Sequence, residues 1–296
     1  MTAYFLRAII LTNMGIKKKL RGKIARYAIK ALVKFPQTVS EPLIKVVLEK
    51  IWRQKITNVH QMLASVKRFS DTTSKNCQEK LFENLAFKGL IENQKIRDEG
   101  ARHGLPPIHT ILISPTMRCN LKCSGCYSKD YQKKDDLPFE IVDRILKEGK
   151  EIGVAFFTIL GGEPFLRDDL FSLFEKHSDV YFQVCTNSTL LNEEVVKKLA
   201  EMGNVTTQLS IEGFKERDDK RRGKGHFEKV MTTMDILSEH GAPFGYSVCV
   251  TRENVEEVMS DEFVELMIRR GAFVGWYFLY TPVCGDRNTD PMPLPE

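Results

Sequence analysis

From Thr110 onward the chain alternates strand-like and helix-like segments six times, and this alternation constrains its fold more than any other feature. Short β-prone runs, each followed by a helical pattern, make a parallel sheet with helical crossovers. The strands are read at Thr110–Thr116, Ala155–Leu160, Val180–Thr186, Thr206–Ile211, Pro243–Val250 and Phe273–Tyr280. The helices between them are read at Pro138–Glu151, from Asp168, at Asn192–Met202, at His226–His240 and at Val255–Arg270. In barrels of parallel strands the chemistry gathers at the C-terminal strand ends. The polar and glycine-rich residues of this chain fall at those ends.

Beyond the first strand stand Cys119, Cys123 and Cys126, in the run RCNLKCSGCY. Three thiolates can hold three irons of a [4Fe–4S] cluster and leave the fourth iron open to a small molecule. A structural zinc site is the alternative, but zinc usually takes four protein ligands, commonly from paired C-x2-4-C units. No second Cys/His pair at such spacing stands nearby. The remaining cysteines, Cys77, Cys185, Cys249 and Cys284, are scattered. An odd count of seven argues against a secreted disulfide framework and suits a reducing cytoplasm. Cys185, Cys249 and Cys284 read as buried small apolar residues on or just after strands.

The spacing C-x3-C-x2-C resembles the signature of the radical S-adenosylmethionine (SAM) superfamily, and other segments extend the likeness over roughly Ile108 to Asp286. Gly161-Gly162-Glu163-Pro164 resembles the family's GGEP motif, thirty-five residues beyond Cys126. Its glycines let backbone approach a ligand closely, and Glu163 or neighbouring carbonyls would accept from the SAM ammonium. Thr186-Asn187-Ser188 resembles a T-N-G segment; Asn187 would meet the SAM ribose or carboxylate, or else cap the next helix or shape the turn. Ser210-Ile211-Glu212-Gly213 looks like S-x-[DE]-G, with Ser210 toward the SAM carboxylate and Glu212 toward the ribose. Arg222, in RRGKGHF, resembles the arginine that pairs with that carboxylate; its neighbour Arg221 competes for the role, and a solvated basic loop is the plainer reading. Segments at Val250–Asn254 and Tyr280–Pro282 resemble weaker adenine contacts. The family often has an aromatic residue where this chain has Gly125.

The resemblance implies a partial (β/α)6 TIM-like barrel whose cofactors are a [4Fe–4S] cluster and SAM. It implies reductive cleavage of SAM to a 5′-deoxyadenosyl radical that abstracts hydrogen from a substrate, with a reductant such as ferredoxin or flavodoxin. A peptide or protein is the first expectation for the substrate, as in SPASM/twitch maturases. A lipid or isoprenoid at a membrane surface is the second, and a non-catalytic iron–sulfur or zinc module the alternative of another class.

The net charge of +5 hides an asymmetry. Residues 1–56 hold 13 Lys/Arg and 2 Asp/Glu, or 13 − 2 = +11; the remainder holds 31 and 37, or 31 − 37 = −6. Leu20, Ile24, Tyr27, Ala28, Ala31, Leu32 and Phe35 share one helical face, with Lys23, Arg26, Lys30 and Lys34 on another. Such a helix packs on the barrel or lies on an anionic membrane. Further helices are expected at 42–55 and 78–91. The expected organisation is a basic helical extension over 1–105 and a core domain over 106–296. No signal peptide or membrane span is expected, nor nucleic-acid binding, since aromatics are sparse among the basic residues. The expected location is cytoplasmic, with peripheral membrane contact open to the basic helix. The chain stops shortly after the sixth strand, so a C-terminal truncation is expected.

Overall fold

Six strands pair in chain order into one sheet: β1 (Thr110–Thr116), β2 (Phe156–Gly161), β3 (Tyr181–Thr186), β4 (Val205–Ser210), β5 (Phe244–Val250) and β6 (Gly275–Leu279). Every pairing is parallel. The structure, a computed structural model, describes residues 67–130, 136–282 and 288–293. The helices expected at 20–35 and 42–55, and Cys284, lie outside the described residues. The sheet belongs to a compact unit running from Phe69 to Glu296.

Parallel neighbours need crossover connections, and helices supply them. Before β1 come α1 (Lys75–Lys80), a π-helical stretch (Leu81–Glu92) and α2 (Gln94–Arg102). The crossovers carry α3 (Phe139–Glu151), α4 (Leu170–Lys176), α5 (Glu193–Met202), α6 (Lys215–Arg222), α7 (His226–Glu239), α8 (Val255–Val258) and α9 (Asp261–Arg269). Their apolar faces meet the outward side chains of the sheet. Phe157, Phe182, Val184, Leu209 and Val248 are fully buried there with Leu146, Phe174, Leu199 and Met234 of the helices. The sheet curls into the expected partial (β/α)6 barrel.

Two differences from the sequence reading have local causes. The helix expected over 255–270 breaks because the Ser260 hydroxyl accepts from the Phe263 N–H (3.2 Å), starting α9 afresh. Helix α6 was not expected: its sequence, KERDDKRR, has no apolar stripe, and it buries only Asp218.

The helices before β1 close the N-terminal ends of the strands. The Asn84 side-chain amide donates to the carbonyls of Ser178 and Val180, both at 3.0 Å, just before β3. Arg97 Nη1 donates to the Gly153 carbonyl at 2.7 Å, just before β2. The opposite, C-terminal ends are left for the site. Side chains alternate along a strand, so with Phe182 and Val184 turned to the helices, Cys185 faces the concave side. Cys249 does the same on β5, opposite Val248 and Val250. Both are half-buried, not the enclosed core residues expected from sequence. Among the described residues no helix is long and apolar enough to cross a membrane.

Candidate active site

The loop after β1 carries the three cysteines, and β2 holds its first half. The Gly162 N–H donates to the Thr116 carbonyl (2.9 Å) and the Glu163 N–H to that of Arg118 (2.8 Å). A Cβ at Gly162 would lie 2.6 Å from the Arg118 carbonyl carbon and 2.8 Å from that of Met117. The glycines of GGEP therefore admit the chain's own cysteine loop, a closer partner than the ligand expected from sequence. The Tyr127 hydroxyl donates to the Gly161 carbonyl at 2.9 Å and ties the far end of the loop to the same place. Gly125, at φ 66°, leaves room for the Tyr280 ring, 3.1 Å from where its Cβ would be.

Glu163 is completely buried. Its Oε1 accepts from the Phe165 N–H (3.1 Å) and the Thr186 hydroxyl (2.9 Å), and its Oε2 from the Asn187 N–H (2.7 Å). Burial pushes this carboxyl above its ordinary pKa, and the three donors pull against it. Its side chain joins the ends of β2 and β3. Asn187 shapes the turn through Thr189, whose N–H (3.0 Å) and hydroxyl (2.6 Å) both donate to its Oδ1. Its Nδ2 turns to the cysteine loop, toward Asn120 Oδ1 (2.8 Å) and Cys119 Sγ (3.7 Å). Ser188, which replaces the glycine of T-N-G, takes a left-handed φ of 69°.

At the end of β4, Ser210 stands in register with Ser247, and Glu212 is buried beyond it. Glu212 Oε1 accepts from Arg222 Nε (2.9 Å) and Nη2 (2.5 Å); its Oε2 accepts from Arg221 Nη1 (2.8 Å) and the Cys249 N–H (3.1 Å). Neither arginine is the solvated loop residue of the plainer reading. Burial works against both charges, and Glu212 more than reverses it. Burial also pushes the Cys123 thiol up, with the positive charge of Arg222 working against it. Asn254, expected near adenine, donates from Nδ2 to the carbonyls of Glu212 (2.9 Å) and Cys249 (3.1 Å) and so joins β4 to β5.

Sequence reasoning missed a buried pair beneath these residues. His226 Nδ1 meets Asp218 Oδ2 at 2.6 Å, its Nε2 meets the Asn187 carbonyl at 3.0 Å, and Asp218 Oδ1 accepts from the Glu212 N–H at 2.9 Å. Asp219 receives the N–H groups of Gly225 (2.9 Å) and Phe227 (3.0 Å) and starts α7. Asp218 and Asp219 thus hold the site's frame.

Comparison with known proteins decides the family. Residues 113–264, just over half of the chain, match the Radical SAM superfamily. The chain belongs to that superfamily. It is 32% identical over 153 residues to Fe-coproporphyrin III synthase of Methanosarcina barkeri, covering 50% of this chain and 38% of that protein. It is 35% identical over 164 residues to mycofactocin maturase MftC of Mycolicibacterium smegmatis, covering 53% of this chain and 41% of that one. The chain thus spans well under two thirds of the curated relatives it matches. In fold it resembles SuiB of Streptococcus suis. With S-adenosylmethionine bound, SuiB superposes with a TM-score of 0.57 at 20% identity, over 86% of this chain and 56% of that one.

Radical SAM proteins use a [4Fe–4S] cluster and SAM, and the donor set here fits them. Cys119, Cys123 and Cys126 are free, half-buried thiols on a loop fixed from β2, β3 and α6. Among the described residues no three His, Cys, Asp or Glu side chains are placed to hold one metal ion. A cluster asks for something different, because each thiolate holds its own iron. The N–H of Leu121, at 3.5 Å, points at Cys119 Sγ, a donor of the kind that supports cluster sulfurs.

Proposed function

We propose that this radical SAM protein cleaves SAM reductively at a cluster held by Cys119, Cys123 and Cys126 and abstracts hydrogen from a peptide. The observation that carries this reading is the bracing of the three-cysteine loop on three neighbouring parts of the barrel's C-terminal rim. A rigid loop keeps the thiols in place through a change of oxidation state. Bound there, the cluster would supply the electron that splits SAM into methionine and a 5′-deoxyadenosyl radical.

The remaining roles belong to the chain's own groups. Arg222 and Ser210 would receive the SAM carboxylate, with Arg222 exchanging part of its contact with Glu212 for the ligand. Glu212 would hold both arginines in position. Glu163, its oxygens engaged by three internal donors, would act as the frame of the SAM site, and backbone of Gly161–Glu163 would meet the ammonium. Asn187 would order the β3 end. An external donor such as ferredoxin or flavodoxin would deliver the electron, in a cytoplasm that keeps the thiols reduced.

The peptide reading draws on relatives. MftC is a maturase by name, and SuiB has been solved bound to the precursor peptide SuiA, at a TM-score of 0.55 over 64% of this chain. The test is 5′-deoxyadenosine formation by the reduced protein with and without candidate precursor peptides. The reading expects release to rise with a cognate peptide and that peptide to change mass. Acceleration by a porphyrin, with indifference to peptides, would overturn it.

A further inference from the structure

Arg221 and Arg222 are adjacent, partly buried and bound to the same carboxylate, yet they reach different things. Arg221 grips the cysteine loop at Ser124 twice. The Ser124 N–H donates to the Arg221 carbonyl at 3.0 Å, and Arg221 Nε donates to the Ser124 carbonyl at 3.1 Å. Its Nη1 meanwhile bonds Glu212 Oε2. Ser124 lies between Cys123 and Cys126, beyond the positions from Thr116 to Asn120 that β2 and Asn187 hold. Among the described residues Arg222 bonds nothing in the loop; it forks onto Glu212 Oε1.

We propose that Arg221 is a positioning residue for the cluster, bracing the Cys123–Cys126 turn against Glu212, and that the SAM carboxylate is left to Arg222. The inference rests on the cluster reading above. It follows from directionality. An Nε–H and an Nη–H of one planar guanidinium point to two fixed acceptors, a backbone carbonyl and a carboxylate, so the spacing between β4's end and the loop is set by a rigid fork. Lysine gathers its three donors on one nitrogen at the end of a flexible stem and so lacks this fixed fork. Groups that orient metal ligands in this way are worth about 10–100-fold in metal affinity.

The experiment compares cluster loss to an iron chelator, followed by visible absorbance, in anaerobically reconstituted wild type and in Arg221→Gln, Arg221→Lys, Arg222→Gln and Ser124→Ala, with SAM binding measured on the loaded proteins. Arg221→Gln should lose its cluster about tenfold faster. Arg221→Lys, which keeps the charge and guards against a folding defect in the glutamine variant, should also lose it faster. Ser124→Ala keeps both backbone groups and should lose it at the wild-type rate. Arg222→Gln should retain its cluster but bind SAM about tenfold more weakly. Reduced-cluster EPR line shapes should change for the Arg221 variants, which general destabilisation of the fold would not produce. Wild-type loss rates in both Arg221 variants, or equal acceleration in the Arg221 and Arg222 variants, would overturn the assignment. A wild type that takes up no iron and sulfide would overturn the cluster reading itself, and the assignment with it.

Discussion

Replacing Gly162 by alanine tests how the cysteine loop is held. Gly162 is not among the glycines with positive φ, so alanine carries no conformational penalty there. The cost is contact alone: the new methyl would meet the Arg118 and Met117 carbonyl carbons at 2.6 and 2.8 Å, backbone that cannot turn aside as a side chain would. Overpacking of this kind costs about 1–3 kcal/mol. Moving the loop away also stretches the bonds from Gly162 to Thr116 and from Glu163 to Arg118, about 1 kcal/mol for either one. The sum is about 3 kcal/mol, which for a unit of this size lowers the melting temperature by about 6–12 °C. Thermal unfolding of the apo protein, followed by circular dichroism, measures it without any cofactor. If the glycines serve only to admit a ligand, the apo variant will melt within about 2 °C of wild type, and the bracing argument fails.

Ser188→Gly should stabilise the protein by about 1 kcal/mol, because serine holds a left-handed φ that costs about 1–2 kcal/mol and glycine returns part of that gain as chain entropy; a lower melting temperature in the variant would count against strain at this turn. Asp143 sits beside Lys147 (2.8 Å), Lys176 (2.9 Å) and His177 (2.8 Å), and the lysines hold its carboxyl well below the usual carboxylate range. A pKa depressed on folding gives stability that is present above the unfolded value, about pH 4, and is lost as pH falls through the folded value. The melting difference between wild type and Asp143→Asn should therefore be largest near neutrality and close in acid; a gap that widens toward low pH would contradict this. Arg222→Gln should weaken SAM binding far more than Ser210→Ala, since a charge-assisted pair is worth about twice a neutral hydrogen bond; equal losses in calorimetric titrations would reassign the carboxylate.

The sheet was legible because each strand announces itself locally: Val180–Thr186 or Pro243–Val250 needs no distant partner to read as a strand. The motif positions followed from it, since Gly161–Glu163, Thr186–Ser188 and Ser210–Glu212 simply end strands. What the side chains do at those positions was not legible. Glu163 finds Thr186 and Asn187 across 23 and 24 residues of sequence, and Asn254 finds Glu212 across 42. Nothing in a one-dimensional pattern separates a carboxylate that meets a ligand from one that ties two strand ends. The same limit hid the split between Arg221 and Arg222, identical in chemistry and adjacent in sequence, and the His226–Asp218 pair. Cys185 and Cys249 were misread as core for a related reason. Alternation tells which face a strand residue takes, but both faces of a barrel strand can be buried, and only the open rim leaves these two half-exposed.

The most direct test of the account is anaerobic. The protein is reconstituted with iron and sulfide, reduced, and examined by EPR with and without SAM while 5′-deoxyadenosine is assayed. The account predicts a reduced-cluster signal that changes when SAM is added, 5′-deoxyadenosine among the products, and loss of both in Cys123→Ala. A cluster signal indifferent to SAM, with no 5′-deoxyadenosine formed, would contradict it.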